Sequence, residues 1–266
     1  MEGKIYEECA VMQISKVNGS YSLRPSSKKV ISEISLKIFV NEVELVSLLC
    51  LNQCQEELAI GFLYNEGVIN SYDDILSIYY DERMFAVIVK LKDNIPLNRQ
   101  ESLRSITSGC GRCFTYINPL KKNKYLQVKS ETTFSISTIV TLMNDFINQS
   151  EIFKDVGGVH SVLFHTPDYS IMNEDIGRHN CFDKITGMLL KNRRINLSSN
   201  SIVFVSGRIS SEIMTKIIRL GTPVLVSRST PTVAAVSLAQ EYNVTILGYV
   251  RGEKGYVYTC PERLTS

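Results

Sequence analysis

Ile202-Val203-Phe204-Val205-Ser206-Gly207-Arg208-Ile209-Ser210-Ser211 opens with four apolar residues and passes through a glycine into a polar stretch. An unbroken apolar run, rich in β-branched residues, predicts a strand buried on both faces, since a strand with one wet face would alternate. Ser211 to Leu220 follows with apolar residues at helical spacing and stops at Gly221. The unit then repeats: a strand at Val224-Leu225-Val226-Ser227, a helix from Thr232 to Tyr242, and a last long strand from Val244 to Tyr249. Upstream lie a strand from His160 to His165 with a turn at Pro167-Asp168, and a helix from His179 to Lys191. Strands alternating with short helices predict an α/β domain with a largely parallel sheet covered on both faces.

Ahead of this domain the pattern differs. Ser135 to Phe146 carries a helical apolar stripe. Leu36 to Leu51 alternates around a polar break and predicts a strand or hairpin. Glu56 to Ile69 predicts an amphipathic helix with Gly67 near its end, and Phe85 to Val89 a strand. The first ~100 residues thus read as a small α+β unit. The basic turn Lys121-Lys122-Asn123-Lys124 suggests a junction, giving residues 1–120 and 121–266 as two domains.

Composition narrows the function classes. A hydrophobic content of 44%, a charged content of 21% and a net charge of +2 are those of an ordinary globular chain, with no argument for nucleic acid. No apolar run approaches the ~20 residues of a membrane span, and the polar start from Met1 to Glu8 has no signal-peptide core. The expectation is a cytoplasmic protein without membrane partners. Seven cysteines, irregularly spaced, argue against a disulfide framework. Cys50 and Cys54, beside leucines, read as buried structural thiols.

Chemistry is expected at the carboxyl ends of the strands, where open α/β sheets bind ligands. Three segments fall there. Ser206 to Ser211 contains Gly207 and Arg208 at a helix start; Ser227 to Thr232 contains Arg228, with Thr230 as a candidate cap and Pro231 as first helical residue; Tyr249-Val250-Arg251-Gly252-Glu253-Lys254 follows the last long strand. Helix N-termini and arginine forks suit phosphate, although each turn alone also reads as an ordinary connection. Asn173 to Asn180 is a dense polar run, and such a cluster is costly unless it binds something or forms its own network. Asp175 and His179 offer an acid/base pair, and Asp175 equally a helix cap. His160 reads as a site residue or a satisfied strand-start histidine, and His165 as structural. Finally, Cys110-Gly111-Arg112-Cys113 is the one C-x-x-C. Such a pair can share a disulfide, share a metal or pass sulfur. No histidine begins an H-x-E and Gly109 precedes Cys110, so the zinc deaminase signature is missing. The residues after Cys113 make a poor helix start, against a thioredoxin-type site.

Several stretches resemble the formate dehydrogenase accessory sulfurtransferases, the FdhD family: Glu57 to Gly67, the Cys110-x-x-Cys113 pair, Gly157 to His160, Glu174 to Lys184, Ser206 to Glu212, and Gly221-Thr222-Pro223. The resemblance implies a small N-terminal α+β domain plus a cytidine-deaminase-like three-layer α/β domain lacking the zinc ligands, usually as a homodimer. It implies that a cysteine desulfurase passes persulfide sulfur to Cys110, with Cys113 its partner. The sulfur goes on to the molybdenum bis(guanine dinucleotide) cofactor, a bound substrate, for formate dehydrogenase; the protein itself holds no metal. It further implies that Tyr249, Val250, Arg251, Gly252, Glu253 and Lys254 bind the guanine dinucleotide, with Gly207, Arg208, Arg228, Asp175 and His179 lining the pocket. The alternative is a non-catalytic chaperone for that cofactor. The chain departs from the family pattern at Phe114, where Gly is common, and at Gly255-Tyr256-Val257-Tyr258, where F-N-V-Y is frequent.

Overall fold

Short turns with left-handed residues fold the N-terminal part. The computed structural model describes residues 4–92 and 125–266, together with the backbone of two strands between them. β1 (Tyr6–Val17) and β2 (Ser20–Ile31) pair antiparallel through Asn18-Gly19, both at positive φ, the twist that two-residue hairpins favour. β3 (Glu33–Val40) and β4 (Val43–Leu51) turn the same way at Asn41-Glu42, which realises the hairpin read from the alternation. α1 (Gln55–Asn65) follows, then β5 (Ile75–Asp81) and β6 (Ala86–Leu91), in a four-stranded sheet of order β4-β3-β6-β5. Leu36, Ile38 and Val40 alternate into a core with Leu58, Phe62 and Leu63 of α1. β7 (Leu103–Ile106) and β8 (Phe114–Ile117) pair antiparallel. The domain boundary expected near residue 120 lies outside the described residues.

The second part runs β9 (Phe134–Ser135), α2 (Ile136–Gln149), α3 (Glu151–Asp155), β10 (His160–Thr166), β11 (Tyr169–Asp175), α4 (Arg178–Lys191), β12 (Ile202–Val205), α5 (Ser211–Leu220), β13 (Val224–Ser227), α6 (Val233–Glu241), β14 (Thr245–Arg251), β15 (Lys254–Thr259) and β16 (Leu264–Thr265). Its six-stranded sheet has the order β11-β10-β12-β13-β14-β15. Only β12, β13 and β14 are mutually parallel, so the largely parallel sheet expected from the sequence is a mixed one. The reason is local: β10–β11 and β14–β15 are joined by tight turns, and a strand that returns through a tight turn must run antiparallel.

Both faces of the sheet are covered. Val203, Val205, Leu225 and Ile246 face α4, α5 and α6, while Ile202, Phe204, Val224, Val226 and Leu247 face α2. The result is a mixed α/β fold with helices on either side. α1 of the first part lies flat on α4 of the second, and the contact is backbone to backbone. A Cβ on Gly61 would overlap the Asp183 carbonyl, and one on Gly187 would overlap that of Glu57. Glycine is needed at both crossing points because no side chain fits. Among the described residues, no helix is long and apolar enough to cross a membrane.

Candidate functional site

The parallel strands β12, β13 and β14 deliver their following turns to one edge, and hydrogen bonds tie those turns together. Ser227 Oγ donates to the Gly207 carbonyl at 2.7 Å, and Arg228 N donates to the Val205 carbonyl at 3.3 Å. Ile209 N donates to the Thr230 carbonyl, and Thr232 N to the Ile209 carbonyl. Tyr249 N donates to the Ser229 carbonyl at 3.0 Å, and Arg251 Nε to the Arg228 carbonyl at 3.0 Å. The three segments singled out in the sequence therefore form one continuous rim. Arg208, Arg228, Arg251 and Lys254 are all exposed along it.

Two local readings change. The cap of α6 is Thr232, whose hydroxyl accepts from Ala235 N at 3.2 Å, and not Thr230. Pro231 bridges to Ile209, which keeps the chain extended and delays the helix. Likewise, Tyr249 to Lys254 does not simply follow a last strand. It is the end of β14, a two-residue turn at Gly252-Glu253, and the first residue of β15, closed by the Arg251↔Lys254 pair. Val250 is buried in the core beneath α2, so only its backbone reaches the rim. Tyr249 has φ 54°, and its ring stands edge-on to Tyr256 at 6.4 Å, with the Arg251 guanidinium 5.4 Å from its centre. Gly248 beneath them has no room for a side chain: a Cβ would lie 2.8 Å from the Tyr258 ring and 3.1 Å from the Ser229 carbonyl.

The polar run before α4 divides into two groups. Asp175 is fully buried. One carboxylate oxygen accepts from Lys184 Nζ at 2.6 Å and Leu51 N at 3.2 Å; the other accepts from Gly177 N at 3.1 Å and Asn180 Nδ2 at 2.8 Å. Neither role open in the sequence is realised. Among the described residues Asp175 makes no hydrogen bond to His179, and it accepts from Gly177, the N-cap residue itself, and from the Asn180 side chain rather than from a first-turn N–H, so it is the centre of a buried network. Glu174 caps α3 through Ile152 N, and Asp183 accepts from Lys216 Nζ at 2.5 and 2.6 Å and from Asn65 Nδ2 at 2.7 Å. These charges clamp the two parts together rather than lining a cavity.

His179 belongs to the second group, at the sheet edge. Its Nε2 lies 3.2 Å from Glu212 Oε2, an ion-pair approach without hydrogen-bond alignment. The imidazole next to it holds the Glu212 carboxyl below its ordinary value. His160 starts β10 beside Gly207, where a Cβ would stand 3.1 Å from its Nδ1 and 3.9 Å from Arg178 Cδ. Burial, then the nearby Arg178 and His179, push the His160 imidazole below its ordinary value. Arg178 and Glu212 join this corner; both lie in stretches singled out in the sequence, but neither was assigned a role there. Buried atoms there, Arg178 Nε, His179 Nε2 and Glu212 Oε2, have no hydrogen-bond partner among the described residues, and such atoms ordinarily find one.

Cys110 and Cys113 lie outside the described residues, in the stretch between β7 and β8. Phe114–Ile117 is a strand, in line with the poor helix start read there. Burial pushes the Cys50 thiol up to about 12, and also raises Cys54, Cys181 and Cys260. A thiol held protonated is a poor nucleophile, which makes these four poor acceptors of sulfur. Cys50 is buried as expected; Cys54 is only half-buried, at the N-cap of α1 with Asn173 Nδ2 at 3.7 Å.

Comparisons with known proteins agree on a single family. The model of the FdhD/NarQ family matches residues 31–265. The sulfur carrier protein FdhD of Bacillus pumilus (strain SAFR-032) is 36% identical over 241 residues, covering 89% of this chain and 90% of that protein. Its counterpart from Bacillus subtilis (strain 168) is 36% identical over 240 residues, covering 89% and 90%. A crystal structure of a putative formate dehydrogenase accessory protein from Desulfotalea psychrophila superposes with a TM-score of 0.79 at 22% identity, over 97% of this chain and 99% of that one, which establishes a shared fold.

Proposed function

The chain belongs to the FdhD/NarQ family, and from that premise we propose that it is a sulfur carrier serving formate dehydrogenase. A cysteine desulfurase supplies the sulfur. The Cys110 thiolate attacks the outer sulfur of the desulfurase persulfide; the S–S bond of the donor breaks, its thiolate leaves, and a persulfide remains on Cys110. Cys113 is its partner, and Arg112 beside it favours the ionised form. The acceptor is the molybdenum bis(guanine dinucleotide) cofactor, bound as substrate on a cytidine-deaminase-like chassis without zinc ligands.

The observation that carries this reading is the rim: three turns at one sheet edge, linked by hydrogen bonds and presenting Arg208, Arg228 and Arg251. Guanidinium groups beside helix N-termini suit a ligand with several phosphates. Tyr249 and Tyr256 supply aromatic surface for a base, and the corner of His160, Arg178 and His179 adds donors. With Cys50, Cys54, Cys181 and Cys260 held protonated, the remaining thiols are the exposed Cys9 and the C-x-x-C pair, and only the pair offers two thiols at a spacing that can pass sulfur. Peptide mass spectrometry after incubation with a cysteine desulfurase and cysteine tests the carrier role. A one-sulfur, reductant-reversible adduct on Cys110 or Cys113 is expected. No adduct, with an active desulfurase, would favour the chaperone reading, in which maturation tolerates loss of both thiols but not of Arg208 or Arg251.

A further inference from the structure

The corner on the β10 side of the sheet edge holds one group of the opposite sign to its neighbours. The starts of α4 and α5 meet there, and helix N-termini favour anions. Arg178 opens α4, near both His160 and Glu212, and His179 follows it in the first turn. Gly207 keeps the space beside His160 clear, since a Cβ there would stand 3.1 Å from Nδ1. Arg208, the next residue, is exposed and carries the corner into the rim. Against this cationic set stands the Glu212 carboxylate, in the first turn of α5, with Oε2 at 3.2 Å from His179 Nε2. The fit is poor. Neither atom is aligned for a hydrogen bond, and Arg178 Nε is buried without a partner among the described residues. The neighbouring charges are already spent: Asp175 on Lys184, and Lys216 on Asp183. The Glu212 side chain is 40% exposed, so its way into water is open.

We propose that Glu212 is a stand-in for a phosphoryl group of the ligand: the free protein holds this carboxylate against His179, and the incoming phosphate displaces it. The inference deepens the reading of the rim as a phosphate site and rests on it. Three features favour displacement over a permanent pair. A buried pair built to last satisfies its polar atoms, and this one leaves Arg178 Nε, His179 Nε2 and Glu212 Oε2 unmatched. A phosphoryl group brings three acceptor oxygens to these donors where the carboxylate brings two. The helix does not need Glu212 in place, because α5 is capped by Ser210, whose hydroxyl accepts from Ile213 N at 3.4 Å. The stand-in also sets a threshold. An anion with no more charge than a carboxylate gains nothing from the exchange, so the corner selects phosphates against carboxylates.

Calorimetric titration of the full chain with guanosine diphosphate tests it, comparing the wild type, Glu212→Gln and the rim variant Arg228→Ala/Arg251→Ala. Glutamine keeps the shape and removes the charge, so binding should tighten about fivefold or more, the effect of one like charge ~4 Å from a phosphate even at the dielectric of water. His179→Asn should weaken it. A carboxylate that merely positions His179 predicts the opposite sign for Glu212→Gln. Equal or weaker binding by Glu212→Gln, with a wild type that binds and a rim variant that does not, overturns the inference and leaves the reading of the rim standing. Unchanged binding by His179→Asn overturns it too. No binding by either the wild type or Glu212→Gln overturns the reading of the rim and the inference together. If Glu212→Gln does not fold, Glu212→Asp, which draws the carboxylate back by one methylene, is held to the same sign.

Discussion

The rim at the carboxyl edge and the run from Asn173 to Lys184 are both dense in charged and polar residues, and they meet opposite fates. On the rim, the backbone makes the hydrogen bonds and leaves Arg208, Arg228 and Arg251 exposed. In the run, the side chains make them: Asp175, Asp183 and Lys184 vanish into the contact between α1 and α4. Only His179, with Arg178, emerges at the edge. The difference lies in what surrounds each segment. The rim turns follow strands and end in solvent, whereas most of the run is roofed by β4 and the turn that leads from it to α1, through Leu49, Leu51 and Gln53. A cluster of polar residues therefore marks a network, and its exposure is set by long-range packing.

Substitutions should separate the two regions sharply. Asp175→Ala leaves Lys184 buried without its partner and is expected to cost about 3–5 kcal/mol in urea denaturation; a loss under 1 kcal/mol would place the run at a wet surface. Gly61→Ala drives a methyl into the Asp183 carbonyl and should cost about 1–3 kcal/mol, read by the same titration. His160 sits between the regions. Its imidazole is held below the ordinary 6.5, so the stability it contributes is complete above that pH and is lost as pH falls through the lowered value. His160→Asn should flatten the stability profile in that window, and an unchanged profile would show the ring to be solvated. Arg251→Ala should change stability by less than about 0.5 kcal/mol, since the residue is exposed.

Much of this was legible in the sequence because the signals are local. The apolar run at Ile202–Val205, the glycine stop of α5, and the alternation through β3 and β4 each act within a few residues. The β1–β2 ribbon was missed although its Asn18-Gly19 turn is a strong hairpin signal, because Glu7, Glu8, Lys28 and Lys29 dilute the alternation on either side of it. β15 was missed because Gly252-Glu253-Lys254 resembles a phosphate loop as much as a hairpin turn. The mixed direction of the sheet depends on which strands neighbour one another, which no local pattern encodes. For the site, the arginines were legible by residue type, whereas Glu212 and Arg178 gain their place only when the starts of α5 and α4 meet beside Gly207. Asp175 was legible as important but not as buried.

The central claim is that the exposed rim, and not the buried run, binds the phosphates of a guanine dinucleotide. Calorimetric titration of the full chain with guanosine diphosphate, for the wild type and for Arg228→Ala/Arg251→Ala, tests it most directly. The account predicts binding by the wild type and a loss of at least tenfold in the double variant, with an unchanged urea midpoint. Equal affinity in both proteins, or no binding by the wild type, would contradict it.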